Sequence, residues 1–256
     1  MPDRKPFGTK LRDFVNWRLS RHVPVKTMAN QLDRAIASFT FDDFPRSALT
    51  MGGSILERHG VVGTYYVAGS MADTEANGIE YYRADDLPDL VQRGHEVGDH
   101  TFGHLRVTDH ARAALMQDEV DNRRFLNGHL PNVIATSFAF PYGLASLRTK
   151  HHFSRQFACA RGTGFGINHG TLDLSQLRAV SLERDGPDYD LAALLADAKA
   201  KRAWIIFYTH DVSANPSAYG SHPDVLERAV TACLEADIEI LPVRNALARA
   251  CFGALG

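Results

Sequence analysis

A chain of 256 residues that is 45% hydrophobic and 23% charged is long enough to bury a large core and too apolar for wholesale disorder. Its formal charge of -2 gives no bulk attraction for nucleic acid, so no nucleic-acid partner is expected. Cys159, Cys233 and Cys251 are odd in number and form no CxxC pair, which suggests neither a disulfide framework nor a thiolate metal site.

The chain opens on an arm, residues 1–33. Its first 26 positions hold seven basic and two acidic side chains, while the remainder is net acidic. Phe7, Leu11, Phe14 and Val15, with Trp17 nearby, fall near helical spacing, so the arm reads as a basic amphipathic helix. Two placements fit: peripheral contact with an anionic membrane surface, or packing on the body of the protein or on a second subunit of a homo-oligomer. Burial on protein is the more ordinary fate of such a stripe. The charges at Asp3, Arg4, Lys5, Lys10, Arg12 and Asp13 leave no room for the apolar core of a signal peptide, and no later run spans a bilayer, so a cytoplasmic protein is expected.

From Ala35 onward apolar runs alternate with helix-like stretches. Strands are predicted at Ala35–Phe41, Val61–Ala68, His95–Asp99, Ile134–Phe140, Phe157–Arg161, Leu177–Leu182, Ala203–Thr209 and Ile238–Leu241. Helices are predicted at Arg46–His59, Arg83–Arg93, Thr108–Leu126, Asp190–Lys201 and Pro223–Ala236. Such alternation implies parallel strands with crossover helices, as a barrel or a doubly wound sheet, in one domain over residues 34–247 with a short tail, 248–256.

The polar residues at the predicted strand ends carry the chemistry, because loops after parallel strands emerge on one face. Asp42 and Asp43 follow the first strand, His100 the third, Pro141 and Tyr142 the fourth, and His210 the strand that ends at Thr209. His100 and His104 are four apart, so on a helical turn both imidazoles would face one ion, and Asp43 completes a set of three. Asp42 is left to take a proton from a water at the site. His210 has an imidazole suited to give a proton to a leaving amine. The Phe140, Pro141, Tyr142, Gly143 turn aims a backbone amide, that of Tyr142, at a developing oxyanion. Tyr65, Tyr66, Tyr81 and Tyr82 are candidates for a sugar platform, with at least one of each pair expected in the core.

This constellation resembles the polysaccharide deacetylases of carbohydrate esterase family four. Thr40, Phe41, Asp42 and Asp43 look like the first motif of that family, in which the first aspartate is the base and the second a metal ligand. His100, Thr101, Phe102, Gly103 and His104 look like its second motif, which supplies two metal ligands. Phe140 to Gly143 look like its third, and Thr209 and His210 look like its fifth, with the histidine as acid. The resemblance covers roughly residues 34–247 and implies a distorted (β/α)7 barrel. It also implies a divalent metal, most simply Zn2+, and hydrolysis of an N-acetyl or O-acetyl group on a sugar. The charged amino terminus places the expected substrate inside the cell, as a soluble acetylated amino sugar or a lipid-linked precursor at the inner membrane face. Two places depart from the pattern. Ala139 stands where the third motif often carries an arginine that pairs with the catalytic aspartate, and Arg178 or Arg184 is the substitute considered. The fourth motif is not recognisable, which leaves Asp185 as the nearest acid to orient His210. Two other readings keep the fold: a metal-independent, allantoinase-like amidohydrolase, and a non-catalytic carbohydrate-binding relative.

Overall fold

The computed structural model describes residues 16, 18–183 and 188–253. Eight parallel strands form its centre: β1 (Ile36–Phe41), β2 (Thr64–Val67), β3 (Glu96–Asp99), β4 (Ser137–Ala139), β5 (Cys159–Arg161), β6 (Val180–Ser181), β7 (Trp204–Thr209) and β8 (Glu239–Ile240). They are hydrogen-bonded in the order β6-β7-β1-β2-β3-β4-β5. β8 lies beside the start of β1, at Ile36 and Ala37, where β2 does not reach. The sheet curls until Arg161 at the end of β5 meets Leu177, just before β6, through a single bridge. The result is the α/β architecture that the alternation of runs implies, a distorted and incompletely closed barrel.

The two central strands show why the sequence takes this form. β1 is IASFTF, buried at every position, and β7 is WIIFYT, buried at all but Tyr208. Runs that are apolar on both faces suit a parallel strand covered inside by packed side chains and outside by helices. On the helix-facing side Phe39 stacks on Phe207 with centroids 5.0 Å apart and Phe41 stacks on Tyr65 at 4.7 Å, while inside Trp204 Nε1 donates to Ser38 Oγ at 3.0 Å. Outside lie α1 (Ser54–Arg58), which continues a π-helical turn over Ala48–Gly53, then α2 (Asp86–Gln92), α3 (Arg112–His129), α4 (Leu147–Phe153), α5 (Leu191–Lys201), α6 (Pro223–Glu235) and α7 (Val243–Phe252).

Three local features differ from the expectation. Helices α4 and α7 replace stretches given no element, and α7 runs through residue 247, with Ala246, Leu247 and Ala250 buried, so the stretch expected as a tail begins inside a packed helix. Residues Thr27–Ala29 pair antiparallel with Thr171–Asp173, which ties the end of the arm to the barrel. The buried Lys150 ammonium fixes the preceding segment, donating to Ser20 O and Val23 O, both at 2.7 Å, and pairing with Asp173 at 2.5 Å. The apolar positions Phe7, Leu11, Phe14, Val15 and Trp17 lie outside the described residues. Among the described residues, no helix is long and apolar enough to cross a membrane.

Candidate metal centre and substrate groove

The carboxyl ends of β1, β3, β4, β5 and β7 all open on one face, and their last residues meet there. Asp43 Oδ1 sits 3.2 Å from His100 Nε2 and 3.1 Å from His104 Nε2. His210 Nε2 approaches Asp43 Oδ2 at 3.9 Å. Asp42, next in the chain but turned to the other side, is ion-paired with Arg161 from the end of β5. Residues predicted from four separate strand ends thus share one centre, and a fifth, Arg161, joins them.

The loops that present these groups are strained, and the strain is held by identifiable contacts. Asp43, Phe44, Thr101, His104 and Tyr142 all have φ between 47° and 63°, a region that side chains rarely adopt. At the first loop the Phe44 ring is wholly buried, stacked on Tyr82 at 4.8 Å and tilted on Tyr65 at 4.9 Å, so the turn that exposes Asp43 is anchored by its neighbour. The second loop is not the helical turn that the spacing of the histidines suggests. Left-handed residues at Thr101 and His104 bend the segment instead, and the bend brings both Nε2 atoms to the same carboxylate oxygen. Helix α3 grips this bend: Asp118 accepts from Phe102 N at 2.7 Å and Gly103 N at 2.9 Å, and Asn122 donates to Asp99 Oδ2 at 2.8 Å. Asp99 in turn accepts from Thr101 N at 2.9 Å, and Thr101 Oγ1 accepts from Leu105 N at 2.8 Å. Burial pushes the Asp99 carboxyl up to about 6 against these donors.

The donor set fits a divalent cation. His100 Nδ1 donates to Ala139 O at 2.8 Å, which fixes the tautomer and leaves the Nε2 lone pair turned toward Asp43. Asp43 Oδ1 is buried with no hydrogen-bond partner, an arrangement that costs free energy unless something else occupies the space among the three donors. The ligand atoms lie within 4.8 Å of one another. Two imidazole nitrogens and one carboxylate oxygen are a donor set that zinc and similar ions take, with positions left open. Burial works to raise the Asp43 carboxyl, but the two imidazoles beside it prevail and hold it well below the usual carboxylate range.

Arg161 is the residue the sequence reading misses. Its guanidinium is buried, pairs with Asp42, and lies 4.9 Å from the Tyr66 ring centroid and 5.1 Å from that of Tyr208. It occupies the place sought for Arg178 or Arg184. Arg178 instead donates to Phe165 O at 3.3 Å, and Arg184 lies outside the described residues. The available signal was a charged side chain ending an apolar strand, the same signal that marked Asp42 and Asp43. Asp185 also lies outside the described residues, and His210 Nδ1 is oriented by the carbonyl of Tyr219 at 3.2 Å. That carbonyl is held in place because the loop after β7 wraps around buried Asp211, which accepts from Ser217 N at 2.8 Å and Ser217 Oγ at 2.5 Å. Gly220 is required there, since a Cβ would stand 2.3 Å from Asp211 Oδ1.

A groove of about 780 Å³ runs over the centre, between this loop and a hairpin at Glu75–Ala76 and Ile79–Glu80. The hairpin turn is Asn77-Gly78, both at positive φ, a dipeptide that marks such turns. Of the four tyrosines considered as a platform, Tyr65, Tyr66 and Tyr82 are core and Tyr81 alone lines the groove. Tyr142 and Tyr219 join it, exposed, with rings 4.5 Å from His104 and 5.6 Å from His210 respectively.

Fold and site together define an α/β barrel of the carbohydrate-deacetylase class. The chain belongs to the polysaccharide deacetylase family, whose sequence model matches residues 29–156. Among curated proteins no sequence matches. Solved structures share the fold at low identity. A family 4 acetyl xylan esterase from Clostridium thermocellum, in complex with a cobalt ion, aligns with a TM-score of 0.58 at 15% identity over 83% of this chain and 90% of that one. The Xyl-CE4 domain of a multidomain xylanase from the hindgut metagenome of Trinervitermes trinervoides aligns at 0.54 and 15%, over 84% and 90%. A CE4 family pseudoenzyme from Bacillus anthracis also aligns, at 0.54 and 14%, over 90% and 71%.

Proposed function

We propose that the protein is a divalent-metal-dependent hydrolase that removes the acetyl group from the nitrogen of an amino sugar. The observation that carries this reading is the buried, unpartnered Asp43 Oδ1 between two imidazole Nε2 atoms, with the Asp42–Arg161 pair and His210 beside it. A divalent ion held by Asp43, His100 and His104, most simply Zn2+, supplies polarisation of the acyl carbonyl and acidification of water.

The remaining roles belong to the chain. Asp42 accepts the proton of the attacking water, and Arg161 holds one oxygen of that carboxylate so that it keeps a single orientation. The backbone N–H of Tyr142 is the donor proposed for the oxyanion. His210 is oriented through Nδ1 by Tyr219 O, so its Nε2 is free to hand a proton to the leaving nitrogen. An acid at this point favours an amide substrate over an ester, because an amine leaves only once protonated. Tyr81, Tyr142 and Tyr219 supply faces for a sugar ring at the groove.

The test is release of acetate from N-acetylated glucosamine oligomers by the metal-loaded protein. Activity that disappears with a chelator and returns with Zn2+ is the expected result. Hydrolysis unaffected by the chelator would overturn the metal assignment, and absence of turnover on every acetylated sugar tried would overturn the reaction.

A further inference from the structure

A second polar site lies away from the groove and shares no residue with it. Arg112, Arg148, His151, His152, Arg155 and Gln156 line a cleft of about 230 Å³ between the start of α3 and α4. Three guanidiniums on so small a cleft repel one another unless an anion lies among them. The side chains of Arg112 and Arg155 have no ion pair or hydrogen bond to any described residue. Arg148 is braced through Nη2 by the carbonyls of Val107 at 3.4 Å and His110 at 2.8 Å, which fixes its guanidinium at the rim.

A further observation points to a negatively charged ligand. Helix α3 is 18 residues long, yet its first turn has no acidic residue, its N-cap Ala111 offers no side-chain cap, and Arg112 stands at its first position. A cation at a helix N-terminus opposes the helix dipole, whereas an anion there is favoured and finds free backbone N–H donors. Beneath the cleft lies His152, more than nine-tenths buried, with its Nε2 turned inward to Glu119 Oε1 at 2.8 Å. Burial first, and then the charges of Arg112, Arg148 and Arg155, lower its basicity.

We infer that this cleft binds a phosphoryl group. Planar guanidinium forks match phosphate oxygens in pairs, and the cleft is smaller than the pockets that hold drug-sized ligands. The phosphoryl group can belong to a soluble phosphate or to the headgroup of a phospholipid, and the experiment separates the two.

Calorimetric titration of the full chain with inorganic pyrophosphate is run beside sedimentation with phosphatidylcholine vesicles that contain or lack phosphatidate. Arg112→Ala and Arg155→Ala are the variants, both at exposed positions where folding is not at stake. Saturable pyrophosphate binding, weakened about tenfold by either variant, supports a soluble ligand. Pelleting that needs phosphatidate and is lost in the double variant supports a lipid headgroup. In phosphate-free buffer Arg112→Ala keeps the melting temperature or raises it, and it reduces the rise that pyrophosphate gives to the wild type. No saturable binding in either arm, or binding that both variants leave unchanged, would overturn the inference.

Discussion

Two buried carboxylates near opposite ends of strand β3, Glu96 at its start and Asp43 facing the loop after its end, are treated in opposite ways. At the start of the strand Glu96 accepts from Ser137 Oγ at 2.9 Å, Thr64 Oγ1 at 2.9 Å and Arg244 N at 2.7 Å, so its oxygens are fully engaged and it joins β2, β4 and α7. Across from the end of the strand, Asp43 Oδ1 has no hydrogen bond and faces the Nε2 atoms of His100 and His104. Backbone strain follows the same division. Five left-handed residues lie in the loops around Asp43, whereas the residues flanking Glu96 have ordinary strand geometry apart from Gly94. A satisfied buried carboxylate is part of the structure, and an unsatisfied one held by strained loops is part of a site.

That contrast predicts different outcomes for substitutions at the two ends. The largest effect is expected at the unsatisfied end. Asp43→Ala or His104→Ala should lower acetate release from acetylated amino sugars by about 10³-fold or more, with the fold intact by circular dichroism. Next comes the pair beside it. Arg161→Met leaves Asp42 buried and alone, so it should cost about 3 kcal/mol in urea unfolding and about 10²-fold in turnover. The double change Arg161→Met with Asp42→Leu should recover most of the stability and none of the activity. Recovery of both would show the pair to be structural and would break the contrast.

At the satisfied end, Glu96→Gln should cost about 1–2 kcal/mol of stability while kcat stays within twofold of wild type. Smallest is the effect at Glu119, a carboxyl that belongs to neither group. Burial pushes it up to about 7, so the native state holds its proton where the unfolded chain, with an ordinary carboxyl near 4, has released it. Its contribution to stability is therefore present below about pH 4 and is lost as pH rises through 7. Glu119→Gln should remove that loss, so the variant gains about 1 kcal/mol on the wild type between pH 5 and pH 8. His152, at 2.8 Å, titrates in the opposite sense, and Arg123, Asp99 and Asp118 also bear on Glu119, which is why the difference between the two proteins and not either curve alone is the measurement. A gap that does not change with pH would refute the assignment.

The same contrast explains what the sequence disclosed. Strands are legible because β1 and β7 are mostly apolar and carry no charge, and the charged and imidazole residues that follow them stand out against that background. Asp42, Asp43, His100, Tyr142 and His210 were found in this way, and the fold does bring them to one face. Arg161 meets the same criterion at the end of Cys159–Arg161, but the family pattern points to position 139 on the neighbouring strand, and only the pairing of the two strands shows that Arg161 reaches Asp42 from the position beside Ala139. The shape of the His100–His104 loop was not legible, since i to i+4 spacing says helix only where the backbone is helical. The bend is held by side chains on α3, the acceptor Asp118 and the donor Asn122, which lie outside the motif in sequence. Helix α4 was missed because its seven residues, LRTKHHF, show no apolar period, and capping by Ser146 and Thr149 fixes its start.

The central claim is that Asp43, His100 and His104 form one cation site. Calorimetric titration of chelator-stripped protein with Zn2+ tests it most directly. The account predicts close to one equivalent bound by the wild type, none in His100→Ala or Asp43→Ala at the same concentration, and unchanged binding in Glu96→Gln. Equal zinc uptake by the wild type and the Asp43 and His100 variants would contradict it.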